Sequence, residues 1–476
     1  MLSEEQVRKI VEETVRNLGA GAGGTGSVSS FSMRSGSPTR WLCDDANEAV
    51  ENARLAQLQL MKLSLAQRGR IIESMRQAAL KNARHLAEMA FEETKYGHIE
   101  HKVAKNELAA TKTPGIEDLT TQAYSGDDGL TIVEQAPYGV IGSITPSTNP
   151  TATVINNSIS MVAAGNGVVF NPHPAAKRAS QEAIRIMNEA IAAAGGPSTL
   201  LTTTTEPTLE SGKIIMNHKD IRMLAVTGGE AVVAVAMRTG KKCVAAGPGN
   251  PPVIVDDTAL LPKAAKDIVD GASFENNILC VAEKEVFAFD NIADRLMEEM
   301  QKQGAFRIYG EDIEKVIRTV LVRKDNGYVI NRDFVGHDAT YILDRSGVRY
   351  TGNPRLVIAE VTPDHPFVRV EMLMPVLGIC RVRNIEEAIA EAFRAERGCQ
   401  HSAMIHSQNI HNMSLAAAAM NTTIFVKNAP SYSGLGFGGE GHATLTIATP
   451  TGEGLTSART FTRARRCVLK GDLRVI

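Results

Sequence analysis

The cysteine at position 280 is the residue of this chain best placed to do chemistry. It ends the run GASFENNILC (271–280), which is typical of a helix end followed by a short polar turn, and the strand-like run EVFAF (285–289) follows soon after. A thiol on such a turn can face a cleft while its backbone N–H stays available to an oxyanion, as covalent catalysis on a carbonyl requires. The simpler interpretation is a buried cysteine that packs as a small hydrophobic side chain. The other motifs of the chain must decide between the two.

Two further segments carry polar groups at predicted strand ends. In TPSTNP (145–150), the side chains of Thr148 and Asn149 are candidates to polarise a carbonyl, although Ser, Thr and Asn are also ordinary helix N-cap residues. FNPHP (170–174) also follows a predicted strand, and ligands of open α/β sheets bind at the carboxyl ends of strands. Taken alone, this second segment is a proline-rich turn.

Two more segments have features of a nucleotide site. VTGGE (226–230) predicts a strand, a tight glycine turn and a helix, so the backbone can approach a pyrophosphate there. It is not a G-x-G-x-x-G motif, and the run GAGAGG (19–24) has no strand before it. In EMLMPV (371–376), Glu371 is either a solvated carboxylate at a strand edge or an acceptor for ribose hydroxyls.

Alternating helices and strands must position these residues. Residues 44–112 predict helices, and from there to about residue 430 the pattern alternates in the manner of βαβ units, which indicates an α/β fold with a largely parallel, doubly wound sheet. Near the end of the chain, 456–461 and 466–469 predict strands that pair with the strand at 131–136 or with another subunit. Predicted elements before them are strands at 131–135, 139–144, 167–170, 222–226 and 242–246, and helices at 151–164, 175–194 and 230–238.

With these five segments in this order, residues 40–476 resemble the aldehyde dehydrogenase superfamily. The resemblance implies a Rossmann-type nucleotide-binding domain (40–246, with an arm strand at 130–136), an α/β domain with the catalytic cysteine (247–442) and a small C-terminal β oligomerisation segment (443–476). It matches Cys280 to the family's nucleophile, the glycine turn to the family's own, and Glu371 to the carboxylate that binds the nicotinamide ribose.

Three departures from the family pattern are informative. The oxyanion asparagine position holds Thr148, with Asn149 adjacent, and the ribose-binding lysine position holds Asn171. The position of the water-activating glutamate holds Ala245. Without a base to activate water, a thioester on Cys280 waits for a better nucleophile, and coenzyme A supplies a thiol that needs little activation.

The chain therefore resembles CoA-acylating aldehyde dehydrogenases, and among them those of bacterial microcompartments that act on propionaldehyde or acetaldehyde. The strings that carry this resemblance are TPSTNPTATVINN, NPHPAAK, VTGGEAVV, AAGPGNPP, GASFENNILC and TPTGEGLTSARTF. It implies oxidation of a short-chain aldehyde to its acyl-CoA, with NAD and CoA using one groove in turn and NADH leaving first. The choice between NAD and NADP stays open.

The resemblance also implies roles for individual residues. Cys280 is the nucleophile, and its N–H with Thr148 or Asn149 forms the oxyanion site. His173 and Lys177 handle the adenine nucleotide part of NAD or of CoA. The full set of residues expected to contact the cofactors comprises Thr145, Pro146, His173, Pro174, Lys177, Thr227, Gly228, Gly229, Gly247, Glu371 and Leu373.

The N-terminal segment predicts a docking element. Apolar residues of 1–18 recur at helical spacing, and the Gly/Ser-rich residues 19–38 are typical of a flexible linker. Such a helix needs a partner groove, a neighbouring copy or a membrane interface, and charges of both signs on its polar face argue against an anionic bilayer. A frayed terminus is the alternative. The segment resembles an encapsulation peptide, which implies a microcompartment shell protein or cargo partner and a location in the cytoplasm inside that compartment.

Composition excludes several other classes. Hydrophobic residues make up 43% of the chain, the formal net charge is −2, and neither a basic block nor an apolar run of about 20 residues occurs, so nucleic acid and membrane are not expected partners. The six cysteines form no C-x-x-C pair and are expected to be reduced thiols of an intracellular protein.

Weaker signals are given simpler interpretations. His98 and His101 are three residues apart but have no third ligand, so a solvated helix face is expected rather than a metal site, and no metal site is predicted. His365 shortly precedes Glu371 and is within reach of the cleft, but it is not expected to have a functional role. A homodimer or homotetramer is expected from the strand-like arms. Two rival functions stay open: a hydrolytic aldehyde dehydrogenase that makes a free acid, and a catalytically silent scaffold of the same fold.

Overall fold

Two parallel sheets dominate the part of the chain that the computed structural model describes, residues 40–325 and 327–474. The first has the strand order β1-β6-β5-β4-β7-β8 and consists of β1 (Leu42–Cys43), β4 (Val140–Thr145), β5 (Gly167–Pro172), β6 (Leu201–Thr204), β7 (Ile221–Thr227) and β8 (Lys242–Ala246). The second has the order β11-β14-β15-β10-β9-β16-β17 and consists of β9 (Pro252–Val255), β10 (Glu285–Phe289), β11 (Ala305–Ile308), β14 (Leu356–Glu360), β15 (Val376–Val382), β16 (Ser402–His406) and β17 (Ile424–Lys427). The α/β fold predicted from the sequence is confirmed.

Helices connect these strands. They are α1 (Ala46–Leu60), α2 (Leu65–Lys81), α3 (Ala83–Thr94), α4 (Ile99–Lys112), α5 (Pro150–Ala163), α6 (Lys177–Ala193), α7 (Leu209–Asn217), α8 (Glu230–Met237), α9 (Leu261–Ser273), α10 (Asp290–Lys302), α11 (Glu311–Val320), α12 (Ala339–Ser346), α13 (Pro366–Arg369), α14 (Ile385–Glu396) and α15 (Ile410–Met420). Local sequence explains several starts: Ser64 forms a capping box with Gln67 at α2, and Pro150 occupies the first turn of α5. None of the described helices is long and apolar enough to cross a membrane.

A third, antiparallel sheet has the order β2-β3-β20, from β2 (Gln122–Gly126), β3 (Gly129–Pro137) and β20 (Thr462–Lys470). Strand β20 pairs with β3 along its whole length, from Thr462 opposite Pro137 to Lys470 opposite Gly129. The predicted pairing of the chain's last strand with the 131–136 strand is therefore confirmed within one chain. Two small hairpins complete the strands: β12 (Leu321–Lys324) with β13 (Gly327–Ile330), and β18 (Ile447–Ala448) with β19 (Gly454–Leu455).

The strand predicted at 456–461 is wrong. Residues Ala458–Phe461 form a short 3-10 turn, because Ser457 caps it and the Ser457 N–H donates to Oγ1 of Thr460 at 3.0 Å. The turn buries both Ala458 and Phe461, whereas a strand would place two residues three positions apart on opposite faces of the sheet. The predicted helix at 1–18 and linker at 19–38 lie outside the described residues.

The candidate site residues lie at one edge of each parallel sheet. In the first sheet, β4 leads to β5 on one side, and β7 lies on the other side of β4, so the carboxyl ends of β4 and β7 flank the switch point where ligands of doubly wound folds bind. In the second sheet, the strands β15, β10, β9 and β16 are successive neighbours, and the residues just before their N-terminal ends form the rest of the site.

Candidate active site

Three functional side chains meet at the N-terminal edge of the second sheet. Glu371 precedes β15, Cys280 precedes β10, and His401 directly precedes β16. Gly249, just before β9, lies among them: a Cβ atom there would be 2.7 Å from the carbonyl oxygen of Cys280 and 2.9 Å from Cγ of His401. The Gly249 N–H also donates to the Glu371 carboxylate. A glycine is required here because any side chain would push the cysteine loop and the imidazole apart.

Cys280 is half-buried, and its surroundings act on the thiol in opposite directions. Burial, with the Glu371 carboxylate as the second cause, raises the pKa of the Cys280 thiol to about 12. The Lys284 ammonium and the N–H groups of Cys280 and Val281 favour the thiolate. The thiol therefore rests protonated near neutral pH, and the amide groups are placed to stabilise negative charge once a base removes the proton.

The segment before Cys280 is held in a demanding backbone conformation. Glu275, Asn276 and Asn277 have φ values of 53°, 51° and 64°, the left-handed region that L-residues adopt at a cost of about 1–2 kcal/mol each. The Asn276 amide donates to the carbonyl oxygen of Gly336 at 2.9 Å and to Oδ1 of Asp338 at 2.7 Å. These contacts hold the loop in the shape that presents Cys280.

Lys284 holds the same loop through hydrogen bonds to its backbone. Its side chain is 1% exposed, and its Nζ donates to the backbone oxygens of Asn277 and Leu279 at 2.7 and 3.1 Å and to Oδ1 of Asn277 at 2.5 Å. Burial lowers the pKa of Lys284, while Glu371 and Cys280 act to raise it. Its one recognisable feature along the sequence is its position between Glu283 and Glu285, at the start of a strand that is buried throughout.

His401 is a second residue that sequence reasoning missed. The ring is completely buried, its Nδ1 lies 2.9 Å from Oγ of Ser402, and its Nε2 has no hydrogen-bond partner among the described residues. Burial, with the Lys284 charge as the second cause, lowers the pKa of His401 to about 4. The imidazole is therefore neutral at pH 7, and its Nε2 is left for a hydrogen bond with a ligand. No pattern around position 401 indicates this, because the neighbours of the ring, Gly249 and Lys284, precede two other strands, β9 and β10.

The residues predicted at the carboxyl ends of β4 and β7 lie on both sides of the switch point. Thr145 ends β4, where its carbonyl accepts the N–H of His173 at 3.0 Å. Thr227 ends β7, and the Gly228 N–H donates to the Ala246 carbonyl at 3.2 Å. The charge of Glu230, at the start of α8, is one of those acting on Glu371, so the glycine turn and the Glu371 carboxylate are near each other.

A buried ion cluster joins the β4–α5 turn to the cysteine loop. The Nζ atom of Lys105 lies 2.6 Å from Oδ1 of Asn149 and 2.5 Å from Oε2 of Glu275. Glu275 is five residues before Cys280, so Asn149 and the loop of the nucleophile are brought together through one lysine. Thr148 is adjacent, with Oγ1 3.4 Å from Nδ2 of Asn149.

Comparison with known proteins identifies the family. The aldehyde dehydrogenase family model matches residues 41–456. The chain belongs to the aldehyde dehydrogenase family. The acetylating acetaldehyde dehydrogenase EutE of Salmonella typhimurium is 50% identical over 434 residues, which are 90% of this chain and 92% of that protein.

Two solved structures are similarly close. A propionaldehyde dehydrogenase from the Clostridium phytofermentans fucose utilisation bacterial microcompartment superposes with a TM-score of 0.89 at 49% identity, covering 92% of this chain and all of the other. The Rhodopseudomonas palustris propionaldehyde dehydrogenase with bound propionyl-CoA has a TM-score of 0.88 at 46% identity, covering 90% of this chain and 95% of that one. The resemblance to acylating aldehyde dehydrogenases of the microcompartment type is confirmed.

Within this aldehyde dehydrogenase fold, some predicted cofactor residues have their own local partners. His173 is exposed, with Nδ1 accepting the N–H of Ala175 at 3.2 Å, and Pro174 is exposed beside it. Lys177 pairs with Glu206 at 2.5 Å. In the described chain no hydrogen bond or ion pair links these three residues to the cysteine loop, so their assignment stays a prediction.

Three other predicted residues have structural features of their own. Pro146 follows Thr145 directly and is partly buried. Gly247 is buried, and a Cβ there would lie 2.9 Å from Cγ of Pro450. Leu373 has a φ of 50°, and its carbonyl accepts the Gly336 N–H at 3.0 Å. Leu373 thus connects the segment of Glu371 to Gly336, whose carbonyl accepts the Asn276 amide.

One interpretation from the sequence needs correction. His101 does not lie on a solvated face: its ring stacks on Phe274 with centroids 4.3 Å apart, and its Nδ1 accepts the Glu275 N–H at 2.9 Å. The face of α4 that carries it is buried because Lys102 and Lys105 pair there with Glu275. The available signal was a pair of lysines, Lys102 and Lys105, three residues apart on α4. The carboxylate that pairs with Lys105 lies 170 residues away in the sequence.

Proposed function

We propose that this chain oxidises a short-chain aldehyde to its acyl-CoA with NAD as the hydride acceptor. The observation that carries the proposal is a half-buried Cys280 held beside Glu371, combined with alanine at 245, where the family pattern places a water-activating glutamate. Ala245 is completely buried inside β8 and offers no base. The named activities of the relatives with acetaldehyde and propionaldehyde support the substrate class.

The residues at the switch point fit a dinucleotide. A Cβ placed on Gly228 would meet nothing closer than 3.8 Å, and one on Gly229 nothing within 4 Å, so a phosphate can approach this backbone at the start of α8. Glu371 has a partly buried carboxylate that the Gly249 N–H already orients, and it can accept hydrogen bonds from ribose hydroxyls. When bound there, the nicotinamide accepts a hydride from the substrate carbon.

The chain's own residues then divide the remaining work. The Cys280 sulfur bonds to the aldehyde carbon, and its proton passes to a base; His401 is the candidate by position, because its ring and the cysteine loop both pack on Gly249 and its Nε2 has no partner among the described residues. The N–H of Cys280 and the amide of Asn149 stabilise the oxyanion. After hydride loss the acyl group remains on sulfur as a thioester. The thiol of CoA attacks the acyl carbon, the Cys280–carbon bond breaks, and the departing sulfur regains a proton.

A second reaction has one observation in its favour. Glu371 is the carboxylate whose charge acts on Cys280, and burial raises the pKa of Glu371. If this carboxylate activated water, the thioester would be hydrolysed and the product would be a free acid. The two reactions differ in their need for CoA.

The decisive assay measures NADH formation and product identity with and without CoA. We expect steady turnover and stoichiometric acyl-CoA only when CoA is present, across two- to four-carbon aldehydes. Full turnover to the free acid without CoA would establish the hydrolytic reaction. Glu371→Gln serves as the companion variant: if Glu371 is the water-activating base, CoA-independent turnover should disappear at saturating NAD, whereas a residue that only binds ribose should mainly raise KM for NAD.

Encapsulation is the second part of the proposal. Residues 1–18 act as a tag for a microcompartment shell or its cargo, and the similarity to an enzyme of a fucose utilisation microcompartment supports this assignment. Deletion of residues 1–18 should leave turnover unchanged and abolish co-sedimentation of the enzyme with shells. Loss of turnover on deletion would show instead that the segment belongs to the enzyme core.

Self-association through the third sheet is the remaining part. Strand β20 is an edge strand, and Val468 and Leu469 on it are 60% and 44% exposed. A second copy that covers this edge would satisfy its unpaired backbone groups and bury these side chains. A dimer or tetramer in solution, measured by light scattering, is the expected state.

A further inference from the structure

Four side chains form a polar cluster next to the cysteine loop. Lys102, Lys105 and Glu275 are 2%, 5% and 0% exposed, and Asn149 is partly buried beside them. Oε2 of Glu275 accepts from Nζ of Lys102 at 2.9 Å and from Nζ of Lys105 at 2.5 Å. Oε1 of the same carboxylate accepts the His98 N–H at 3.0 Å. Hydrogen bonds thus connect all four side chains, and three of the four are buried from water.

The charges in this cluster do not cancel. In the described part of the chain both lysines pair with Glu275. Burial lowers the pKa of Lys105 to about 8, so Lys105 is mostly protonated at pH 7, and two ammonium groups share one carboxylate there. Burial would raise the pKa of Glu275, but the two lysine charges outweigh it and keep that carboxyl ionised. A buried charge left without a counter-charge typically costs about 3–5 kcal/mol. An excess buried ammonium group therefore needs a reason beyond stability.

Lys105 determines which way the Asn149 amide points. An ammonium group has donors and no acceptor, so the amide atom 2.6 Å from Nζ must be the oxygen. The amide nitrogen is therefore the atom on the opposite side. It lies 3.4 Å from Oγ1 of Thr148, a contact that uses one of its two hydrogens and leaves the other for a ligand. Lys102 makes no such contact, although it shares the carboxylate of Glu275.

The same lysine also holds the loop of the nucleophile. Glu275 begins the run of three left-handed residues that leads to Cys280, and its side chain reaches α4 through Lys102, Lys105 and the N–H of His98. Lys105 consequently touches both the β4–α5 turn and the cysteine loop. A shift of either element would change the distance between the Asn149 amide and the Cys280 sulfur.

We infer that Lys105 is a positioning residue that aims the Asn149 amide N–H at the oxyanion formed on Cys280. The inference rests on the proposed function, since it requires an aldehyde attacked by this cysteine. Lys105 itself supplies neither proton nor hydride in this role. It fixes the amide from one side and the loop from the other, and a misplacement of about 1 Å costs roughly 10²-fold in rate.

The test compares Lys105→Met with the matched control Lys102→Met. Both variants remove one buried ammonium from Glu275, but only the first releases Asn149. We expect Lys105→Met to lower kcat about 10- to 100-fold with little change in KM for NAD, and Lys102→Met to lower kcat less than about threefold at a comparable fall in melting temperature. Equal losses in kcat for the two variants would overturn the inference.

A double-mutant cycle separates positioning from general damage. On the background of Asn149→Ala, Lys105→Met should lower kcat no more than Lys102→Met does, because the amide is gone and only the pairing of Lys105 with Glu275 remains to be lost; a full multiplicative loss would contradict the inference. If either methionine variant fails to fold, the Lys105→Gln and Lys102→Gln pair repeats the comparison. Failure of the proposed function would show in the unmodified enzyme as CoA-independent turnover, whereas failure of this inference shows only in the variants.

Discussion

Replacement of Cys280 by serine should lower kcat for aldehyde oxidation by at least about 10³-fold while leaving the melting temperature within a degree or two. A serine hydroxyl is almost the same size, so the loop held by Lys284 and Asn276 should keep its shape. It is far harder to deprotonate, however, and the neutral imidazole of His401 is too weak a base to ionise it. The rate of NADH formation with saturating aldehyde, NAD and CoA measures the effect.

Cys467→Ser is the matched control for this substitution. Cys467 is exposed on β20, away from the cysteine loop, and its replacement should leave kcat unchanged. If Cys280→Ser retained activity comparable to Cys467→Ser, Cys280 would not be the nucleophile. The assignment of the site to the N-terminal edge of the second sheet would then fail with it.

The second large effect is expected at Asn149. Removal of one oxyanion donor typically lowers kcat about 10²- to 10³-fold, and Asn149→Ala removes the donor whose direction Lys105 fixes. Thr148→Ala, at the position that matches the family's oxyanion asparagine, should have a clearly smaller effect, because Thr148 serves as an acceptor for Asn149 in this structure. Values of kcat and KM for both variants, measured with propionaldehyde, test the difference. A larger loss for Thr148→Ala would place the oxyanion donor at 148 instead.

Local pattern was sufficient to predict most of the fold. The strands at 242–246 and 285–289 have the bounds that the sequence predicts, and Pro150 and Glu230 start the helices expected near them. These elements have strong local signals: apolar β-rich runs for the strands, and proline or a glycine turn at the helix starts. The segment 456–461 misled the prediction because a capped turn and a short strand share the same polar residues.

The candidate site was predictable only in part. Cys280, Glu371 and the glycine turn stand in motifs that can be recognised along the chain, whereas Lys105 and His401 gain their environment from distant segments. A lysine on an amphipathic helix is ordinarily solvated, and only the fold reveals that Glu275 lies beneath this one. The carboxyl-edge rule for doubly wound sheets also fits only the first sheet, because the cysteine lies at the amino edge of the second.

The charged residues around the cysteine are buried because they stabilise its loop. Glu275 and Lys284 stabilise a loop with three left-handed residues that would otherwise relax. The loop places a protonated thiol near the Glu371 carboxylate and the neutral imidazole of His401. Such an arrangement suits an acyl group that is formed on sulfur and removed by a second thiol.

The most direct test of this account is a single turnover of the enzyme with propionaldehyde and NAD in the absence of CoA, followed by intact-mass and peptide mass spectrometry. The account predicts a burst of about one NADH per active site and a propionyl group on Cys280 that persists until CoA is added, when it leaves as propionyl-CoA. Continuous release of propionate without CoA, or a burst that leaves Cys280 unmodified, would contradict it.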